Sequence, residues 1–280
     1  ILIVLSVIIA VYSVTRPGAL AGVKYFLVPN VKNFSWMTVV SAMGQMFYSL
    51  SIAMGILITF GSYMKKDTAI EDSTRNVEIF DTGIAIMAGL MIIPAVFAFS
   101  GGDPDTLQAG PSLMFITIPK VFQNMGFGTV IGIVFFLLVL FAAVTSSIAL
   151  TESAVSTFED ELGWGRKKAT VLVGVIMLAL GSLSSLGYGP LAGIKIIGMQ
   201  FLDLFDFLTN SVMMPIAALL TSLFVSRVVG IDKIEEEIIH GESAFRRKKV
   251  FVVMIKYLCP VFAIIILLSS VANALGWIKM

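Results

Sequence analysis

Seven apolar stretches, separated by short charged or glycine-rich loops, limit what this chain can fold into. They cover residues 1–14, 37–64, about 77–99, 128–156, 168–186, 200–226 and 249–275. About 20 apolar residues suffice for a helix to cross a bilayer, and the first stretch corresponds to the second half of such a span. Only 13% of the residues are charged, against roughly 25% in soluble domains. The sequence therefore predicts an integral membrane protein.

The apolar runs are continuous and lack the alternation of a transmembrane β-barrel, so they predict an all-α fold. We expect a single transmembrane domain over residues 1–280. The chain begins "ILIVLSVIIAVY", without an initiator Met or a charged segment before it, which is not typical of a signal peptide. We expect it to be part of a longer protein, lacking an N-terminal portion.

Basic residues predict the orientation, because Lys and Arg concentrate in cytoplasmic loops. Alternate loops hold twelve of them, namely Lys65, Lys66, Arg75, Arg166, Lys167, Lys168, Arg227, Lys233, Arg246, Arg247, Lys248 and Lys249. The remaining loops hold five, namely Arg16, Lys24, Lys32, Lys120 and Lys195. The first set is predicted to face the cytoplasm of a cell whose plasma membrane the protein spans several times.

Composition and motifs exclude several classes of function. The chain has one Cys, Cys259, and one His, His240, which cannot form a disulfide or a Cys/His metal cluster. A net charge of +1 gives no indication of nucleic-acid binding. No P-loop, nucleophile elbow or metalloprotease pattern occurs, and we predict no catalytic residues and no enzyme. "GYGPLAG" at 187–193 is predicted to be an external turn.

The span at 37–64 is unusual because its middle, "GQMFYSLSIAMG" at 44–55, is polar and contains glycines. As one helix it would be about 42 Å long, against roughly 30 Å of hydrocarbon. A break would free backbone groups that must face a cavity. The carbonyls of the first half would then favour a cation and the amides of the second half an anion. An intact helix, with Ser49 and Ser51 bonded back to the backbone, is the alternative.

A small, partly hydroxylic stripe marks the span at 128–156. Ala142, Thr145, Ser146 and Ala149 share one helical face. Small residues allow close helix packing. The alternative is that the Ala142 carbonyl and the two hydroxyls supply oxygen ligands to a small cation.

Acidic residues at span ends have two interpretations as well. Asp81 could be an interfacial carboxylate or a counter-charge for a bound cation. Asp203 and Asp206 could be interfacial, or Asp206 could be half of a gating ion pair. The loop at 100–127 contains "SLMFITIPKVF", which is apolar enough to pack back onto the protein as a surface loop or a lid. Pro94, Pro215 and Pro260 predict kinks.

Four segments together resemble the neurotransmitter:sodium symporter family, in particular its bacterial amino-acid transporters. They are "GQMFYSLSIAMGILITFGSYM", "DTGIAIMAGLMIIPAVFAF", "FAAVTSSIALTESAVSTFEDEL" and "LDLFDFLTNSVMMPIAALL". The resemblance implies a partial inverted-repeat fold of five plus five helices, with a broken helix at about 48–54. It also implies that the chain runs from mid-helix 5 through helix 11, without helices 1 to 4.

The resemblance implies roles for individual residues. It assigns sodium ligands to Ser49, Asp81, Ala142, Thr145 and Ser146, in two Na+ sites that are both incomplete in this fragment. It assigns the lining of the substrate pocket to Tyr48, Ser49, Ser51, Met54, Ser146 and Leu150. It makes Asp206 the acid of an extracellular gate.

Two departures from the family pattern stand out. Ala53 replaces the first glycine of a Gly-x-Gly pattern, so its methyl narrows the space, and Met54 replaces a common Phe. Asp81 supplies a fixed negative charge where animal members need chloride, and Ala85 offers no ligand one turn later. Chloride is therefore not expected.

The sequence thus predicts a sodium-coupled secondary active symporter that takes up a hydrophobic L-amino acid by alternating access. Its partners would be the amino acid and the lipid bilayer, with no nucleic acid. The oligomeric state is left open, a homodimer being one alternative. The sequence is also compatible with a transporter of another family with the same fold, and with an amino-acid sensor that does not transport.

Overall fold

The computed structural model describes residues 2–100, 110–123, 126–275 and 277. Helices and their connecting turns account for these residues, apart from one isolated β-bridge between Ile196 and Met199. The all-α prediction is confirmed. Eleven helices are named here for the described residues: α1 Leu2–Val14, α2 Ala19–Leu27, α3 Trp36–Ser49, α4 Ile56–Ser62, α5 Ile70–Ser100, α6 Leu113–Gln123, α7 Gly128–Leu162, α8 Arg166–Leu186, α9 Phe201–Val229, α10 Ile231–Gly241 and α11 Lys248–Ala274.

Five helices in the described part of the chain are long and apolar enough to cross a membrane, namely α5, α7, α8, α9 and α11. A further pair, Ile3–Val14 and Ala19–Leu27, passes the same test together but is bent by 116°. Most predicted spans therefore coincide with helices. α5 and α7 extend beyond the predicted ends at 77 and 156, because polar helix formers continue each helix past its apolar core.

Widened π-helical turns precede three prolines. They cover Leu113–Thr117 before Pro119, Phe207–Met213 before Pro215 and Met254–Leu258 before Pro260. Proline has no backbone N–H and clashes with the carbonyl four residues earlier, and a wider turn relieves that conflict. By contrast, α5 passes through Pro94 as one helix.

The helices form two compact units. The first contains Ile1–Phe34 and Glu78–Ser147, and the second contains Ser35–Val77 and Ile148–Met280. The prediction of one transmembrane domain over 1–280 stays a prediction.

The core of the first unit joins α1, α5, α6 and α7. Its buried side chains include Ile9, Met91, Val96, Ile118, Phe122 and Phe135. α2 also lies close to α5, because a Cβ at Gly22 would lie only 2.8 Å from the Pro94 Cα. Burial of Ile118 and Phe122 shows that the apolar part of the 100–127 loop packs onto the protein, as predicted. Residues 101–109, 124 and 125, on which its role as a lid also depends, lie outside the described residues.

The second unit has an apolar core formed by α3, α9 and α11. Val40 and Phe47 of α3 are buried with Met214 and Ala218 of α9 and with Ala263 and Ile266 of α11. A smaller cluster of Val155, Ala169 and Val173 holds the end of α7 against α8. These contacts hold α3 against α9 and α11, and the end of α7 against α8.

Candidate functional site

The helix at 37–64 is broken. α3 ends at Ser49 and α4 begins at Ile56, so residues 50–55 are not helical. Ser51, Ala53 and Gly55 have φ angles of +54°, +63° and +80°, alternating with residues of ordinary backbone. This confirms the predicted break at about 48–54 and excludes the intact helix.

The break is held by local bonds despite its strain. A non-glycine residue in the left-handed region costs about 1–2 kcal/mol, and both Ser51 and Ala53 are there. The amide of Ser51 donates to the Tyr48 carbonyl at 3.1 Å, and the amide of Ile52 donates to the Phe47 carbonyl at 2.9 Å. Strained backbone of this kind concentrates at functional sites, so the break is the first candidate.

The apolar residues of the break face the core of the second unit. Ile52, Ala53 and Met54 pack against the cluster that includes Phe47 and Met214. This packing explains how a strained loop keeps one conformation at membrane depth. The predicted role of Met54 in the substrate pocket stays a prediction.

A cavity of about 310 Å³ opens beside the end of α3. Its lining is mostly polar and comes from α3, α9 and α11, namely Gly44, Gln45, Tyr48, Asp206, Asn210, Ser211, Ile266 and Ser270. The Asn210 amide donates a hydrogen bond to the Asp206 carboxylate one turn earlier. The structure thus brings together two residues to which the resemblance assigns different roles, Tyr48 in the pocket and Asp206 in the gate.

Asn210, Ser211 and Ser270 were not predicted from the sequence. Asn210 follows Asp206 by four residues, and that spacing places the two on one helical face. Within the described part of the chain, the polar lining carries one carboxylate and no basic side chain, so it favours a cationic group over an anionic one.

The first unit contains four other predicted residues. Asp81 is half-buried on α5, and Ala142, Thr145 and Ser146 are exposed on α7. The Thr145 hydroxyl bonds back to the Ala142 carbonyl at 2.9 Å and to the Phe141 carbonyl at 3.1 Å. Its proton is thus directed at the backbone, which leaves Oγ1 lone pairs for a cation. Their assignment as sodium ligands stays a prediction.

Leu150 and Ser49 belong to the second unit. Leu150 is exposed on α7, four residues after Ser146, and Ser49 is the last residue of α3. Ser51 lies in the break. Their predicted contacts with substrate stay predictions as well.

A polar cluster that was not predicted lies at the far end of α4. The Tyr63 hydroxyl donates to Glu152 Oε1 at 2.7 Å, and Arg166 pairs with Glu152 Oε2 at 2.5 Å. Arg166 also reaches Glu159 at 3.3 Å. A carboxylate in the apolar 128–156 stretch is a signal that could have identified Glu152, because intramembrane acids are functional candidates by default.

α4 also approaches α7 through small side chains. The Thr59 hydroxyl lies 3.5 Å from that of Ser153 and 3.3 Å from that of Ser156. A Cβ at Gly55 would lie 2.7 Å from the Ser153 Oγ. Glycine at 55 is therefore required twice, by its positive φ and by this close approach.

Apolar helices long enough to cross a membrane, together with a broken helix beside a polar cavity, are typical of secondary transporters with discontinuous helices. The model of the Sodium:neurotransmitter symporter family matches residues 2–277. The chain therefore belongs to that family, which is one of transporters rather than enzymes, and it is part of a multi-pass membrane protein.

Named relatives agree with this assignment. The chain is 32% identical over 272 residues to the uncharacterized sodium-dependent transporter YhdH of Bacillus subtilis, covering 97% of this chain and 59% of the relative. It is 31% identical over 260 residues to an uncharacterized sodium-dependent transporter of Haemophilus influenzae, covering 92% and 55%.

A solved structure is similar along the same length. The crystal structure of MhsT in complex with L-phenylalanine matches with a TM-score of 0.83 and 33% identity, covering 96% of this chain and 60% of MhsT. The chain thus spans somewhat more than half of the length of these three proteins.

Proposed function

We propose that the protein containing this chain is a sodium-coupled symporter that takes up a hydrophobic L-amino acid by alternating access. The observation that carries the proposal is the break at residues 50–55 in a member of this family. Broken helices present backbone carbonyls and amides to ions and substrate at membrane depth. The names of the relatives support sodium coupling, and phenylalanine in MhsT supports an amino-acid substrate.

The proposed substrate contacts are Tyr48, Ser51, Met54, Ser146 and Leu150, with Ser49 shared between substrate and sodium. Their side chains are hydroxyls, a phenol and apolar groups. They offer no charge to pair with a charged substrate side chain, which favours a hydrophobic amino acid. Tyr48 is 52% exposed beside the cavity, where a substrate entering from that side would meet it.

The proposed sodium ligands are Ser49, Asp81, Ala142, Thr145 and Ser146. All supply oxygen, the ligand atom that hard cations prefer. Sodium moving down its gradient supplies the free energy for uptake, and no covalent step is needed. We also propose that Asp81 replaces the charge of chloride, so transport does not depend on that anion.

The proposed gate acid is Asp206, which lines the cavity together with Gln45 and Tyr48. The described lining residues contribute no cation of their own. We propose that the carboxylate pairs with a basic group from outside this lining when the cavity closes.

The test is uptake of a radiolabelled hydrophobic amino acid by the full-length protein in proteoliposomes. We expect accumulation with an inward sodium gradient and none when choline replaces sodium. Uptake that is equal in choline would refute sodium coupling. Replacement of chloride by gluconate should leave uptake intact, and a large loss would refute the role of Asp81.

Variants of the proposed ligands test the second sodium site. Thr145→Val and Ser146→Ala should each raise the sodium concentration needed for half-maximal uptake, because each removes an oxygen. Leu137→Ala, on the same helix and also exposed, is the matched control. Equal effects of all three would indicate that the stripe serves packing.

A further inference from the structure

The N-terminus of α5 lacks a capping residue of its own. The first helical bond runs from the Ser73 amide to the Ala69 carbonyl at 3.1 Å, which makes Ala69 the N-cap. Alanine is among the poorest N-caps because it has no side-chain acceptor. The amides of Glu71 and Asp72 occupy the positions that such an acceptor normally satisfies.

A distant residue supplies the missing acceptor. Glu242 Oε1 accepts the Glu71 amide at 2.6 Å and the Asp72 amide at 3.3 Å. Glu242 lies directly after α10, about 170 residues along the chain. Its negative charge also suits the positive end of the α5 dipole.

The contact is reciprocal. Glu71 Oε2 accepts the Arg246 amide at 2.9 Å, and Glu71 Oε1 lies 4.0 Å from Arg247 Nε. The Glu71 side chain is only 10% exposed. Each segment thus provides a carboxylate that bonds to the backbone of the other, as the two residues of a capping box do within one helix.

The backbones themselves touch beside these bonds. A Cβ at Gly241 would lie 2.5 Å from the Thr68 carbonyl oxygen, so no larger residue fits there without movement. Lys248, at the start of α11, pairs with Glu235 of α10. The 242–247 loop is therefore held both to the segment at 68–72 and to its own flanking helices.

The contact lies close in sequence to the broken helix. Residues 63–69 connect the end of α4, the second half of the broken helix, to the start of α5. A contact that fixes the start of α5 therefore also restrains the C-terminal end of α4. Glu71, Asp72 and Glu242 belong to the same compact unit as α4.

We propose that the 242–247 loop acts as a latch during the transport cycle, which means that it holds the start of α5 in place. Glu242 is its positioning residue. The latch makes the start of α5 move together with the α10–α11 connection. This inference rests on the proposed transport function for its kinetic consequence, whereas the cap itself can be tested without transport.

The decisive experiment compares Glu242→Ala with a double variant that also carries Ala69→Ser. Serine at 69 is a good local N-cap and satisfies the same amides without the loop. In the full-length protein, we expect Glu242→Ala to lower the melting temperature, because the N-cap acceptor is lost. We also expect it to reduce the maximal uptake rate, because the loop no longer holds the start of α5. The double variant should recover the melting temperature but not the rate.

Hydrogen exchange of the peptide at 65–77 gives a readout independent of uptake. Glu242→Ala should speed exchange there, and Ala69→Ser should restore the slow rate. Glu242→Gln keeps one acceptor oxygen and should retain most of the uptake. Glu236→Ala, an exposed acid on α10, is the matched control and should change neither measurement.

Two results would overturn the latch. Recovery of both melting temperature and uptake in the double variant would show that Glu242 serves helix stability alone. Unchanged exchange in Glu242→Ala would show that the cap does not form. If the wild-type protein shows no sodium-driven uptake, the proposed function fails, and the exchange measurement still decides whether the cap exists.

Discussion

The two halves of the broken helix are held in different ways. The first half, α3, packs through Val40 and Phe47 into an apolar seam with α9 and α11. The second half, α4, meets α7 through Thr59, Ser153 and Ser156 and ends in the polar cluster of Tyr63, Glu152 and Arg166.

This difference has a physical consequence for motion. Interdigitated apolar side chains resist displacement, because any gap loses contacts on one side. Hydrogen bonds at the end of α4 can instead be exchanged for bonds to water when the protein opens. We therefore expect α3 to stay with α9 and α11 during transport, while α4 changes its contacts.

The largest effect is expected for Gly55→Ala, at the joint between the halves. The positive φ costs about 1–2 kcal/mol, and crowding against Ser153 adds about 1–3 kcal/mol. The melting temperature of the purified full-length protein should fall accordingly. Adding Ser153→Ala to Gly55→Ala should restore only the stability lost through crowding, because the cost of the positive φ remains.

Gly61→Ala is the matched control for that variant. Gly61 lies within α4, and its Cβ would meet nothing within 4 Å. We expect a neutral or slightly stabilising effect. A loss as large as that of Gly55→Ala would mean that neither φ nor the Ser153 contact matters at the joint.

The next effect is expected for Phe47→Ala in the apolar seam. Loss of this buried ring should cost about 2–4 kcal/mol, somewhat less than in soluble cores because lipid is as apolar as the seam. Met46→Ala, at its exposed neighbour, should cost much less. Equal losses in melting temperature would contradict the importance of the seam for α3.

Glu152→Gln tests the polar end of α4. The amide keeps an acceptor for Tyr63 but loses the charge that pairs with Arg166. Because the Arg166 side chain is 59% exposed, its ion pair with Glu152 should contribute little to stability. We therefore expect a small change in melting temperature and a clear change in uptake rate. A large loss of melting temperature with unchanged uptake would make this cluster structural.

The smallest effect is expected for Ala53→Gly. Glycine adopts the φ of +63° without strain, which should stabilise the folded state by about 1–2 kcal/mol. Glycine also loses more conformational entropy on folding, which should cost about 0.5–1 kcal/mol. The net result should be a slight rise in melting temperature. Ala149→Gly, within regular helix α7, should instead lower the free energy of unfolding by about 1 kcal/mol, and with it the melting temperature. A change of the same sign at both positions would contradict the strain at Ala53.

The sequence predicted those parts of the fold that depend on local composition. The lengths of the apolar stretches predicted the spans. The family resemblance predicted the break at 48–54, where the residue pattern alone was compatible with either a broken or an intact helix. The start of α5 and the end of α7 were not predicted, because polar helix formers extend a helix without an apolar signal.

Contacts between distant segments could not be predicted. The cavity beside Tyr48 and Asp206 requires α3, α9 and α11 to meet, and the Glu242 cap joins residues about 170 positions apart. A polar residue shows in a sequence, whereas its partner depends on tertiary packing. Glu152 is the exception, since a carboxylate within an apolar span is visible in the sequence itself.

The most direct test of the comparison is thiol accessibility on both halves of the helix. Val40→Cys in α3 and Thr59→Cys in α4 are both buried positions, introduced one at a time after replacing Cys259 and any other native cysteine. Sodium with substrate should shift the population of conformations and clearly change the labelling rate at position 59, while leaving the rate at position 40 nearly unchanged. Equal responses at both positions, or a response at position 40 alone, would contradict a fixed α3 and a moving α4.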